Sequence, residues 1–158
     1  MEFEECIKFA NENQVSWVAT VENDQPRVRA LGMWFADERG YYFQIRADMD
    51  IIGSPKNSKN FRFEKPCFSQ LQENPKVEAS FWKSGAMFGT MMRVAGEVEF
   101  LKDAELKERV LKDRPFLKDF GFTPQSQDLV IFRISRGETY FWSIGTAFEP
   151  KKMIEFGK

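Results

Sequence analysis

The chain has 158 residues, a length that suits one domain with a sizeable core. Its formal charge is −1 and it contains no histidine. The charge argues against a dedicated polyanion binder, and the missing histidine removes Ser-His-Asp and Cys-His nucleophile systems and nearly all zinc-site patterns.

Aromatic residues make up 15 % of the sequence, with 17 Phe and 4 Trp. Such a load either fills the core or reserves aromatic surface for a ligand or partner. No run of about 18 apolar residues occurs, and the start Met-Glu-Phe-Glu-Glu is acidic where a secretory leader would be basic, so a cytoplasmic protein with no membrane span is expected. Cys6 and Cys67 lie far apart and form no CxxC; a free, reduced pair is the default. Hard chemistry, if there is any, would then belong to a cofactor.

Phe3, Cys6, Ile7 and Ala10 recur at helical spacing and predict a short amphipathic helix ending near Asn11 to Asn13. From Ser16 to Gln44, three β-rich runs are split by polar turns at 22–26 and 37–40, which predicts a three-strand antiparallel meander. Arg27 and Arg29 open its middle strand one residue apart, so both point to one face. Leu31, Met33 and Phe35 continue that face, a line suited to a ligand with an anionic end and a flat apolar body.

Residues 47–65 carry strong breakers and weak periodicity, and form a long connection, either functional or a plain surface excursion. Lys56, Lys59 and Lys65 lie in it, with the hydroxyls of Ser54 and Ser58 among them. A phosphate monoester takes a forked guanidinium with ammonium and hydroxyl donors, which Arg27, Arg29 and this loop could provide together; simple solvation of an exposed face explains the same residues.

Pro66 opens a short helix over 67–73, stopped before Asn74-Pro75. Val77, Ala79 and Phe81 mark a fourth strand, residues 83–89 a Gly-containing loop, and residues 91–101 a fifth strand in which Gly96 marks a bulge or tight corner. Asp103 caps a helix through Lys112, and a turn over 116–120 closes at Gly121. Residues 128–135 and 138–144 read as two strands joined by a hairpin at Arg136-Gly137, and the tail from Gly145 as polar. Roughly seven strands with only short helices predict a single mainly β domain over 1–158, a small antiparallel barrel with peripheral helices.

Five strand aromatics, Trp17, Trp34, Trp82, Tyr140 and Trp142, are available to stack on a heterocycle or to pack a core or dimer interface; Trp34 and Trp142, near strand ends, are the ligand neighbours of choice. No Rossmann or Walker cradle is present, since Gly85-Ala-Met-Phe-Gly89 lacks the lysine and the strand–helix context. Glu97 and Glu99 share a face and are read as surface solvation.

Four motifs in order, Pro26-Arg-Val-Arg-Ala-Leu, Gly40-Tyr-Tyr-Phe-Gln, Gln70-Leu-Gln-Glu-Asn-Pro-Lys-Val-Glu78 and Arg93-Val-Ala-Gly-Glu-Val98, resemble the pyridoxamine 5′-phosphate oxidase-like family of FMN-binding split β-barrels. The resemblance runs from about Val15 to Phe100, and the segment 129–144 also fits. It implies a homodimer with two FMN sites at the subunit interface. By this resemblance Arg29 grips the FMN phosphate, with Arg27 adding to the field. The backbone of Val28, Arg29, Ala30 and Leu31 lies along the flavin. Gln44 and Ile45 occupy the place of a hydroxyl-bearing contact that Ile45 cannot supply. Lys59 completes the phosphate site with Ser58 beside it, Lys65 being the competing lysine, and Trp142 walls the ring.

The oxidase proper has a lysine five positions after the second-strand arginine, where this chain has Trp34, and its product-binding groups have no clear counterpart near the C-terminus. The resemblance therefore points to the reductase and flavin-carrier branches: an FMN-dependent oxidoreductase meeting a small-molecule electron donor and acceptor, with no catalytic side chain, no metal, no nucleic acid and no membrane. A non-enzymatic flavin carrier or stress-related module, and a single-strand nucleic-acid-binding barrel, are the alternatives.

Overall fold

The computed structural model describes residues 2–47 and 66–158. In chain order the elements are α1 (Phe3–Glu12), β1 (Val15–Glu22), β2 (Gln25–Gly32), β3 (Phe35–Asp37), β4 (Gly40–Arg46), α2 (Cys67–Glu73), β5 (Lys76–Lys83), β6 (Thr90–Leu101), α3 (Ala104–Asp113), α4 (Phe116–Asp119), β7 (Leu129–Ser143), a 3-10 turn (Ile144–Thr146) and β8 (Ile154–Phe156). The strands form one antiparallel sheet of eight, ordered β2-β1-β5-β6-β7-β4-β3, with β8 added to β7.

The sheet closes on itself through two consecutive amides after β2. Met33 N–H donates to Gln14 O at 2.7 Å, beside β1, and Trp34 N–H donates to Tyr42 O at 2.8 Å, on β4. The lumen is filled by the alternate residues that a strand turns inward, among them Val18, Leu31, Tyr41, Phe43, Phe81, Met92, Phe132 and Ile134, and α1 and α2 contribute Cys6, Ala10, Cys67 and Leu71. The other face of β4 and β7 is covered by α3 and α4, where Trp34, Tyr42, Val110, Leu111, Leu117, Phe122 and Ile131 form a second cluster. Asp103 caps α3 by accepting from Glu105 N–H, and Gly121 takes φ +86° after α4, as their residue types predict.

Three expectations are corrected. The segment 16–44 is not a meander: β2 pairs with β1, β3 pairs with β4, and the two hairpins lie at opposite ends of the sheet order. Gly32-Met33-Trp34 carries the chain across the barrel where a turn back onto β2 was expected. Second, no hairpin forms at Arg136-Gly137; β7 runs unbroken for 15 residues. Both halves pair with β6, and the register shifts by one residue after Glu97, so the glycine marks a bulge and not a reversal. Third, the polar tail contains a strand, β8, with Ile154 and Phe156 turned into the core.

Candidate functional site

The β1–β2 hairpin turns on Asn23 and Asp24, at φ 48° and 63°, the left-handed pair that a two-residue loop of this twist demands. Its register sets Glu22 opposite Gln25, Thr20 opposite Arg27 and Val18 opposite Arg29. Pairs next to a two-residue loop exchange both backbone hydrogen bonds, and the pattern then alternates. Pro26 therefore falls at a non-bonded position, where its missing N–H is not needed. By the same alternation the amides and carbonyls of Val28, Ala30 and Gly32 point away from β1. The strand ends the sheet order, and among the described residues no strand pairs with that edge.

The side chains of β2 divide by parity. Arg27, Arg29 and Leu31 turn inward, as their spacing predicts, but the apolar continuation is core: Leu31 and Met33 are buried. Arg27 Nε donates to Glu22 Oε2 at 3.0 Å. Arg29, 7 % exposed, donates from Nη1 to Thr20 Oγ1 and from Nη2 to Gln70 Oε1, both at 2.7 Å. Thr20 Oγ1 also donates to Gln70 Oε1. One guanidinium thus ties β2, β1 and α2, and its fork is held in one orientation.

Among the described residues, the opposite face of the sheet is open. Gly32, Val15, Trp82, Met91 and Trp142 lie abreast across five strands, and Ala30, Trp17, Ser80, Arg93 and Tyr140 form the next row. Val28 is 62 % exposed, Val15 59 %, Trp82 46 % and Trp17 44 %. Two ion pairs cross strands near this face, Arg93 with Glu78 and Arg136 with Glu97, and Glu138 is exposed on it. The Arg136 guanidinium holds the Glu97 carboxyl below its ordinary range, and Glu99 is bound by Arg133, which agrees with reading both acids as surface groups.

The other sequence-derived residues separate. Ile45 packs in the lumen. Gln44 turns to the outer side, where its Oε1 accepts from Arg114 Nη1 at 2.7 Å. Arg114 also donates to Met33 O at 2.6 Å and Gly32 O at 3.3 Å, and so pins the exit of β2 to β4. Burial chiefly holds the Arg114 guanidinium below its usual pKa, with Asp113 opposing that shift. The sequence reading passed over this arginine; its one signal is a cation between the last turn of a helix and Pro115.

Trp34 does not face a ligand: it is buried, donates from Nε1 to Asp113 Oδ2 at 3.0 Å and packs under α3. Its bulk fills the gap between β4 and the helix. Trp142 remains half-buried on the outer face beside Met91 and lines a cavity of about 370 Å³ with Lys8, Phe9 and Glu12 of α1. It stands four strands from β2, about 19 Å along the sheet, and on the opposite face from Arg29. Ser58, Lys59 and Lys65, with Ser54 and Lys56, lie outside the described residues. Among the described residues no cluster of acidic or sulfur side chains is built to hold a metal, and no helix is long and apolar enough to cross a membrane.

The chain matches the model of the family described as pyridoxamine 5′-phosphate oxidase over residues 3–143. No curated protein matches it. Among solved structures, a NimC/NimA family protein from Clostridium acetobutylicum is similar at 27 % identity and TM-score 0.71, over 97 % of this chain and 92 % of that one. General Stress Protein 26 from Bacillus anthracis is similar at 16 % identity and TM-score 0.67, over 99 % of this chain and 100 % of that one. A FAD-binding protein from Mesorhizobium loti is similar at 19 % identity and TM-score 0.61, over 89 % and 92 %. The last two likenesses speak to the fold, which is the split barrel expected from the four motifs.

Proposed function

The chain belongs to the pyridoxamine 5′-phosphate oxidase family, and from that premise we propose that it is a homodimeric FMN-dependent oxidoreductase that holds its flavin along the open edge of β2. The observation that carries the reading is that edge. The pyrimidine rim of a flavin alternates acceptor, donor and acceptor, and a strand edge offers N–H and C=O groups in alternation. Val28 and Ala30 present theirs away from β1, next to small side chains that let a flat ring approach.

Arg29 would hold the phosphate end with its fixed fork, joined by Lys59 or Lys65 and Ser58 from the loop. Gln44 and the Arg114 clamp keep the exit of β2 in place. Ile45 offers no side chain, since it is core. Bound there, FMN would supply electron transfer between a reduced nicotinamide and an acceptor such as a quinone or nitroaromatic. The protein's part is to bind, orient and exclude water. Trp34, committed to Asp113 and to the core where the oxidase proper has a lysine, favours a substrate other than pyridoxamine phosphate.

The reading seats the second copy on the outer face of the sheet, whose row of Val15, Trp82 and Met91 ends in Trp142. Across a two-fold seam, Trp142 of one copy would reach the β2 edge of the other.

The experiment is direct. Purified protein is expected to absorb as a flavoprotein, or to quench added FMN fluorescence at micromolar concentrations. Heat-released cofactor is expected to have the mass of FMN and not of FAD. Protein that is colourless and leaves FMN fluorescence unchanged overturns the proposal; FMN binding without oxidation of NADH or NADPH by any acceptor makes it a carrier.

A further inference from the structure

The loop 84–89 joining β5 to β6 carries Met87 and Phe88 at its tip, which are 69 % and 75 % exposed. Both are non-glycine residues in the left-handed region, at φ 50° and 74°, and Gly89 follows at 68°. Methionine and phenylalanine gain nothing from that conformation, because Cβ crowds the following carbonyl. The loop is held in it nonetheless. Trp82 Nε1–H donates to Phe88 O at 2.7 Å, and Gly89 approaches Lys83 O so closely that a Cβ there would stand 2.1 Å from it. Two large apolar side chains are thus kept in water on a strained and braced backbone.

The tip continues the apolar outer face. Lys83 pairs with Thr90 and Thr90 with Ser143, so the loop stands beside the row of Val15, Trp82, Met91 and Trp142. With Trp17 and Val28, the exposed surface of this face and its tip comes to roughly 700 Å², close to the ~800 Å² that each partner buries in a standard interface. On this face Glu78 is neutralised within one copy by Arg93, and Glu78 and the exposed Glu138 both lie two rows from Trp82 and Trp142, so the end beside the tip is the apolar part suited to meet its own image.

We propose that the Met87–Phe88 tip crosses the two-fold seam and packs on a second copy of this chain, closing the apolar end of the crevice in which the flavin would lie. The inference rests on the dimer reading above and adds its locking element: strain stored in one copy is offset by burial on the other.

Glycine substitution tests it through the sign of the effect. Glycine accepts a positive φ without strain, so Met87→Gly and Phe88→Gly relieve the backbone and remove the side chain together. If the tip only hangs in solvent, both variants melt at or above the wild-type temperature and dimerise unchanged. If it docks, the dimer dissociation constant in sedimentation equilibrium rises at least tenfold, or subunit exchange between labelled copies speeds at least tenfold where the dimer is too tight to dilute. The variants' monomers keep the wild-type circular dichroism. A wild-type dimer whose dissociation and exchange ignore both substitutions overturns the tip and leaves the seam standing; a wild-type monomer at 100-micromolar concentration overturns both.

Discussion

Arg29 ties the fold together at the place where the proposed function sets the phosphate. It is buried, it bridges two strands and a helix, and two of its acceptors, Thr20 and Gln70, themselves share a hydrogen bond. Removing it leaves two buried polar groups short of a donor, at about 1–3 kcal/mol. On the proposed function it would also remove a charge-assisted contact to the FMN phosphate, about 1.5–3 kcal/mol. Arg29→Ala should therefore lower FMN affinity tenfold or more by fluorescence titration and shift urea unfolding by about 1–3 kcal/mol, the barrel still folding. Arg29→Lys keeps charge without the fork and should fall between the two. Unchanged FMN affinity in the alanine variant would remove Arg29 from the site. The pairing of Arg27 and Arg29 on one face was legible from their spacing alone. Their inward direction was not, because alternation fixes which residues share a face but not which face is the lumen.

At the scale of the element, β7 is the instructive case. A glycine after a polar residue, between two apolar runs, reads as a hairpin. The same glycine serves equally where two backbones must touch. Gly137 opposes Gly96 on β6; a Cβ on Gly96 would stand 2.4 Å from Arg136 O and 2.7 Å from Ile134 Cγ2, and one on Gly137 would stand 2.1 Å from Ala95 O. The two glycines allow the strands to cross closely at the bulge, where β7 leaves β4 and takes up β8. The sequence carried both glycines and marked Gly96 for a bulge or corner, but only pairing shows that they face each other. Gly96→Ala forces backbone apart and should cost about 2–4 kcal/mol in urea or thermal unfolding, against less than 0.5 kcal/mol for a substitution at an open surface site such as Ala95→Ser. A Gly96→Ala protein as stable as wild type would mean that the crossing relaxes freely. Helices were easier to read, since caps and breakers are local: Asp103, Pro115 and Gly121 each act where their chemistry predicts.

For the whole molecule, local signals gave most of the strands and the barrel class, while the order of strands in the sheet depended on contacts far apart in sequence. The meander reading failed because Gly32-Met33-Trp34 looks like any short connection; its role appears only when Met33 and Trp34 donate to opposite ends of the sheet. Trp34 was drawn toward a ligand by its place near a strand end, yet α3 lies over it. Trp142 is half-buried on the outer face, where five strands present an apolar row that the described residues leave partly uncovered. That face gives the last prediction. Trp17 stands in its middle, 44 % exposed and opposite Ala30, so its side chain contributes little to the folding of one copy. Trp17→Glu would place two carboxylates near the two-fold seam, unpaired and desolvated, a cost of several kcal/mol to association. On the proposed dimer the variant should sediment as a monomer under conditions where wild type associates, keep the strand-dominated circular dichroism of the barrel, and lose most of its FMN affinity, because the proposed crevice draws on both copies. A Trp17→Glu dimer with wild-type FMN binding would move the seam to another surface. A monomer with full FMN affinity would instead confine the flavin site to one chain, and would leave Trp142 without its proposed role.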